Sequence, residues 1–396
     1  MEYNISNKMR DMKPSAIREI FKSLTDPSII AFAAGNPAPE SFPVDKLAEV
    51  SKTIFEEAPI TALQYGITEG YMPLREQVKE RLKTKFNIGK EFDQTIIVTG
   101  GQQGNELTAK VMCNEGDVIL CENPSFIGSL NAFRSLGVKP VGVPIDDDGI
   151  NIEALEHALK TTPNVKVLYV IPTFQNPAGI TTSLEKRKAI YQLALKYGVI
   201  ILEDNPYGEL RFSGEEVPTI KSMDTEGIVV YCGSFSKILS AGMRIGFLCA
   251  PEKIMQKIVV AKQVEDVHTN QFFQMLCSGF IDKYDLDAHI ESVRAIYGKK
   301  CALMLGEMDR VVPEYIKYTR PDGGLFMWCT LPDCIKLDDF VKSAMAKKLA
   351  VVPGTAFNCD ETAPSNSFRI TYSTPSEEQI IRGVDIIGEV ARELYK

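Results

Sequence analysis

Four short segments of the chain carry residue types whose spacing suits chemistry. Lys237 closes Cys232-Gly233-Ser234-Phe235-Ser236-Lys237, and Arg244 follows seven residues on. A lysine held just past a buried strand is desolvated, which lowers its pKa and frees the amine to form a Schiff base; the plain alternative is a solvated lysine. Glu203-Asp204-Asn205-Pro206-Tyr207 places two acids at the end of an apolar run, where charge is costly unless paired. Asp204 there can bind a metal, cap a helix or pair with a protonated ring nitrogen. Ile171-Pro172-Thr173-Phe174-Gln175-Asn176-Pro177-Ala178-Gly179 is a rigid turn that either only turns the chain or holds Asn176 against a ligand. Val98-Thr99-Gly100-Gly101-Gln102-Gln103-Gly104 lets backbone amides and a helix N-terminus face an anion such as phosphate, or makes a simple tight turn.

Other chemistries lack their parts. The glycine-rich segment is neither G-x-x-x-x-G-K-[ST] nor G-x-G-x-x-G. Only His157, His268 and His289 occur, without HExxH, so a histidine zinc site is not expected. No G-x-S-x-G elbow is present. Ser234-x-x-Lys237 matches the S-x-x-K of penicillin-binding hydrolases, yet S-D-N and K-T-G are missing and Ser183-x-x-Lys186 matches equally well. Nine cysteines without a CxxC read as buried reduced thiols. A net charge of −8 with no Lys/Arg-rich run argues against a nucleic-acid partner. No stretch approaches the ~20 apolar residues of a membrane span, and the N-terminus lacks the apolar core of a signal peptide. The expectation is a cytoplasmic enzyme whose chemistry rests on neither histidine nor metal.

These segments need elements to position them. Thr95–Thr99, Asp117–Cys121, Lys139–Val143, Val165–Ile171, Val199–Glu203, Ile228–Cys232 and Ile245–Ala250 read as strands, apolar throughout rather than alternating. That pattern predicts a mostly parallel sheet covered on both faces. Helical patterns at Gln103–Val111, Ile152–Lys160 and Ser183–Tyr197 lie between them, the second with a cap at Asn151. The four segments then sit at carboxyl ends of strands, where open α/β sheets bind ligands. After about residue 285 the texture changes to an α+β lobe. It has a long helix over Asp287–Met308, strands at Tyr315–Thr319, Gly324–Thr330, Ala350–Val352 and Ser367–Thr371, a helix over Leu337–Lys348 and a final helix from Ser376. A length of 396 residues suits two or three such units.

Taken in order, phosphate turn, Asn, Asp with Tyr, then Ser-x-Ser-Lys and Arg, the chain resembles the fold-type I pyridoxal-phosphate (PLP) aminotransferases of class I/II, from Pro14 to the last helix. Pro14-Ser15-Ala16-Ile17-Arg18, Phe32-Ala33-Ala34-Gly35-Asn36-Pro37, Gln64-Tyr65-Gly66 and Glu69-Gly70-Tyr71-x-Pro73-Leu74-Arg75 resemble the subgroup of kynurenine/α-aminoadipate aminotransferases and MocR-like regulators. The resemblance implies an α/β, aspartate aminotransferase-like fold. Its large PLP-binding domain (45–285) would hold a mostly parallel seven-stranded sheet, and a small discontinuous domain would combine 1–44 with 286–396. Lys237 would hold PLP as a Schiff base and later move the substrate proton as general base and acid. Asp204 would keep the pyridine nitrogen protonated, and Asn176 and Tyr207 would hydrogen-bond the ring oxygen. Gly101, Gln102, Ser234, Ser236 and Arg244 would hold the phosphate, and Phe126 would stack on the ring. Tyr65 would reach the phosphate of the partner subunit, which implies a homodimer. Arg369 would grip the substrate α-carboxylate beside Gly35, with Arg18 toward the substrate side chain.

The implied activity is transfer of an amino group from an α-amino acid to a 2-oxo acid, 2-oxoglutarate being the expected acceptor, by a ping-pong mechanism. The alternative on the same scaffold is another PLP reaction, such as β-elimination of a sulfur amino acid. A regulator fused to a DNA-binding domain is not expected, because fewer than ~40 residues precede the first match. The sequence departs from the subgroup in three places. Phe126 stands where Tyr is frequent, Gly101 where Ser is frequent, and Ala34-Gly35-Asn36-Pro37 where Gly-Gly-Leu-Pro is usual. Asn36 puts an amide in the substrate pocket, which favours polar side chains over long aromatic ones.

Overall fold

The computed structural model describes residues 3–10, 12 and 26–395. Arg18, with the Pro14–Arg18 segment, lies outside the described residues.

The strands in chain order are β1 (Ile30–Ala31), β2 (Asp93–Val98), β3 (Val118–Asn123), β4 (Lys139–Asp146), β5 (Gly149–Ile150), β6 (Val165–Val170), β7 (Ile200–Asp204), β8 (Val229–Ser234), β9 (Gly246–Pro251), β10 (Lys317–Tyr318), β11 (Phe326–Thr330), β12 (Leu349–Ala350), β13 (Val352–Pro353) and β14 (Ser367–Thr371). Eight of them form one sheet in the order β2-β9-β8-β7-β6-β3-β4-β5. The β8-β7-β6-β3-β4 run is parallel, and β9 is antiparallel to β8 and β2. Every residue of β8 and β9 is buried, which is why these strands read as unbroken apolar runs. All seven expected strands are present. The eighth, β5, is a two-residue addition, because the Asp146–Gly149 turn folds the chain back onto the end of β4. Gly149, at φ +114°, makes that reversal possible.

Helices cover the sheet close to the expected spans. Asn151 and Ser183 cap Ile152–Thr161 and Leu184–Tyr197 by accepting from the amides of Ala154 and Lys186. No helix among the described residues is long and apolar enough to cross a membrane. Seven cysteines are buried as expected, but Cys334 is exposed in the loop after β11.

The C-terminal lobe is built on a second sheet, β10-β11-β14-β13. One expected strand, Ala350–Val352, is two. Leu349–Ala350 pairs in parallel with Ile30–Ala31, and Val352–Pro353 pairs with β14. Phe32 then accepts from the Thr371 amide at 3.0 Å. These pairings tie the N-terminal segment, and with it Gly35, to the strand that carries Arg369. The expected strand at Tyr315–Thr319 shrinks to Lys317–Tyr318, since a turn from Pro313 to Ile316 takes its first half.

Candidate active site

The ends of β7 and β8, the β6 turn and the face of β14 enclose a cavity of about 430 Å³. Lys237 enters it from the loop after β8. Its Nζ donates to the Gly35 carbonyl at 2.8 Å. Burial first, then the Arg369 and Arg244 cations, lower its pKa to about 8. Asp204, the last residue of β7, is 5 % exposed. Asn105 Nδ2 and Tyr169 Oη each donate to its Oδ2 at 2.7 Å. Burial nevertheless raises its carboxyl to about 6, against the lowering by those two donors.

One corner is built for an anion. The helix Gly101–Met112 starts there, so its first amides and the positive end of its dipole face the cavity. Ser234 Oγ donates to Ser236 Oγ at 2.9 Å, and Arg244 Nη1 reaches Ser236 Oγ at 3.4 Å and Ala241 O at 3.3 Å. Gly100 has φ +78°, and a Cβ on it would collide with the Arg244 guanidinium. Gln102 lines the same corner and donates to Gly128 O at 2.8 Å. Phe126 stands at the edge of the cavity, packed so closely on Gly128 that a Cβ there would strike its ring.

The opposite wall is a buried guanidinium. Arg369 is 2 % exposed and has no carboxylate partner among the described residues. Nη1 donates to Asn176 Oδ1 at 2.9 Å and Nη2 to Ala33 O at 3.0 Å, while Nε is buried without a partner. Phe326 and Phe357 flank it, 4.1 and 5.0 Å from ring centre to Cζ. Burial lowers its pKa to about 10. A buried cation with unused donors asks for an anionic ligand. Asn176 links this wall to Tyr207, donating to its hydroxyl at 3.4 Å. Burial drives the Tyr207 phenol upward, so it stays a donor.

Residues 27–387 match the family described as aminotransferase class I and II. An aromatic-amino-acid aminotransferase of Thermococcus litoralis is 39% identical over 100% of this chain and 95% of its own length. A kynurenine aminotransferase of Pyrococcus horikoshii, solved with PMP, superposes with a TM-score of 0.95 at 37% identity, covering 99% of this chain and 98% of that one. An α-aminoadipate aminotransferase of Thermus thermophilus, solved with N-(5'-phosphopyridoxyl)-L-leucine, gives 0.90 at 37%, covering 98% and 97%. The chain belongs to the class I and II aminotransferases.

The cofactor of this aminotransferase is pyridoxal phosphate, and its fold is that of the fold-type I enzymes. The cavity fits the cofactor on its own evidence. It has a low-pKa amine, a buried carboxylate with one free oxygen, and a side-chain-free cradle at Gly100 and Gly101 beneath an arginine. The structure gathers Gly35, Gly101, Gln102, Phe126, Asn176, Asp204, Tyr207, Ser234, Ser236, Lys237, Arg244 and Arg369 around it. Tyr65 does not join them. It is 80 % exposed on the outer surface, edge-on to the His268 ring at 5.7 Å. Asn105, Tyr169 and Phe326 escaped the sequence reading. The signal for Asn105 was its place four residues after Gly101, one helical turn on, facing the same way. Tyr169 pairs with Leu202, so it shares a sheet face with Asp204 two residues on, a register that sequence does not reveal.

Proposed function

We propose that this aminotransferase transfers an amino group from an α-amino acid to a 2-oxo acid, with 2-oxoglutarate as acceptor, in two half-reactions at one site. The observation that carries this reading is a low-pKa lysine facing an uncompensated buried arginine across one cavity. Arg369 binds the α-carboxylate of donor and acceptor in turn, through the planar fork left free beside Asn176 and Ala33. Bound pyridoxal phosphate supplies the electron sink that stabilises a carbanion at Cα. Lys237, neutral in a sizeable fraction near pH 8, takes and returns the Cα proton. Asp204 holds the ring nitrogen's proton, and Asn176 and Tyr207 donate to the ring oxygen. Ser234, Ser236, Arg244 and the amides of Gly101 and Gln102 bind the phosphate. Phe126, which lines the cavity, would stack on the ring.

Relatives named for aromatic amino acids, kynurenine and α-aminoadipate suggest a donor with a long side chain. The amide of Asn36, exposed at the cavity mouth, favours the polar end of that range. The enzyme would act in the cytoplasm as a homodimer of protomers with a large unit at 45–285 and a small one from 1–44 and 286–396. Tyr65 would then serve the partner's site. Its exposure beside exposed Ile60, Leu63, Ile67 and Met72 supports such a contact.

The test is a donor screen with 2-oxoglutarate, following glutamate and the new 2-oxo acid. Acceptor-dependent turnover is expected, lost in Lys237→Ala. Release of pyruvate and ammonia from a β-substituted amino acid without any acceptor would instead establish elimination.

A further inference from the structure

The carboxylate of Asp204 is held by a group of side chains that the transfer reaction does not touch. Asn105 and Tyr169 are fully buried, as is Ser129. Tyr169 Oη donates to Asp204 Oδ2 at 2.7 Å. Asn105 Nδ2 donates to the same oxygen at 2.7 Å and to Ser129 Oγ at 3.0 Å. Both amide hydrogens of Asn105 are thus used, and its Oδ1 is left buried without a partner. An unsatisfied buried carbonyl is costly. The opposite orientation would set Oδ1 against Asp204 Oδ2, which an ionised carboxylate forbids. The amide therefore takes the orientation that suits Asp204 at its own expense. Asp204 Oδ1 has no hydrogen-bond partner among the described residues, and lies 3.9 Å from where a Cβ on Gly101 would stand.

We propose that Tyr169 and Asn105 are positioning residues that keep Asp204 ionised and commit its Oδ2 to the protein, leaving Oδ1 for the ring nitrogen of the cofactor. The proposal rests on the assignment of Asp204 above. Burial opposes ionisation. The Asp204 charge in turn holds Glu122, itself raised to about 8 mainly by burial, and the Tyr207 and Cys232 side chains toward their neutral forms. Lys237 lines the same cavity. Without two directed donors the carboxyl would compete for the ring proton. Tyr169 suits the task because burial and Asp204 hold its own pKa well above the ordinary phenol value, so it donates at every working pH.

The experiment is ¹⁵N NMR of holoenzyme reconstituted with ring-¹⁵N pyridoxal phosphate, titrated with pH, together with steady-state kinetics. Tyr169→Phe removes one hydroxyl and keeps the ring packed edge-on to Phe133 at 5.4 Å. Asn105→Ala is the second arm, and circular dichroism selects the variants that fold. Wild type should show a protonated ring nitrogen over the whole active range. Each variant should move its deprotonation midpoint down by about one to two units, the equivalent of one charged hydrogen bond. kcat should fall in step while KM stays. A protonated wild type with unshifted variants overturns the proposal and leaves the Asp204 assignment standing. An unprotonated wild type overturns the Asp204 assignment itself.

Discussion

Arg369→Lys keeps the positive charge and removes the fork. In the wild type, one N–H is used on Asn176 Oδ1 at 2.9 Å and one on Ala33 O at 3.0 Å. A guanidinium carries five N–H donors, so three remain, including the orphaned Nε. That is enough to hold a carboxylate through two parallel bonds. A lysine ammonium has three donors in all and no planar pair. With Asn176 and Ala33 satisfied, one donor is left for the substrate in place of two. Losing one charged hydrogen bond to substrate costs about 2 kcal/mol, within the ~1.5–3 kcal/mol such bonds contribute. At about 1.4 kcal/mol per decade, KM should rise about 30-fold. Donor and acceptor both carry the α-carboxylate, so both KM values should rise together, with kcat changed much less. The packing of Phe326 and Phe357 on the guanidinium adds a stability loss visible in thermal unfolding. The assay is initial velocity over a grid of amino donor and oxo acid, with cofactor content checked by visible absorbance. Unchanged KM values would remove Arg369 from the carboxylate site. A rise for one substrate alone would refute a shared site.

Three further outcomes are expected. Gly100→Ala puts a side chain into the Arg244 guanidinium at φ +78°, with roughly 1–2 kcal/mol of left-handed strain, so the dissociation constant for pyridoxal phosphate should rise about tenfold or more in a fluorescence titration; an unchanged value would place the phosphate elsewhere. In the cofactor-free chain, burial and the two arginines disfavour the Lys237 ammonium, so the rate of cofactor capture should climb with pH and level off above about 8 in stopped-flow traces. Replacing Arg369 by Gln removes one of those cations and should move the midpoint up, and a flat profile would count against a titrating lysine. Asn36→Leu should raise the kcat/KM ratio of aromatic over polar donors about tenfold; an equal ratio would take Asn36 out of the pocket.

The main sheet was legible because its strands are buried on both faces and therefore apolar from end to end. The same burial made Lys237 and Asp204 conspicuous, since a charged residue at the end of such a run has to have a purpose or a partner. Three kinds of feature were not legible. The first is register. Tyr169 meets Asp204 only because β6 and β7 pair Tyr169 with Leu202, and nothing in either segment states that offset. The second is pairing across long separations. Leu349–Ala350 and Val352–Pro353 look like one strand in sequence, yet they split because one half meets residues near position 30 and the other meets β14. Tyr65 shows a third limit: its neighbours explain an exposed tyrosine only if another surface covers it.

On the proposed reading, the electrostatics of the cavity would let one lysine be both anchor and acid–base group. Lys237, Arg244 and Arg369 face a single acidic side chain, Asp204, among the residues lining the cavity. This imbalance lowers the Lys237 pKa and, on the proposed reading, would reserve both arginines for anions of the ligands, phosphate at one end and carboxylate at the other. It also couples the two ends. Lys237 rests on the Gly35 carbonyl, two residues from the Ala33 carbonyl that holds Arg369. That segment is stitched to the Arg369 strand through β1, β12 and the Phe32–Thr371 bond. A carboxylate on Arg369 neutralises one of the cations that depress Lys237. The lysine pKa should therefore rise when substrate binds, giving it a stronger hold on the proton it takes from Cα.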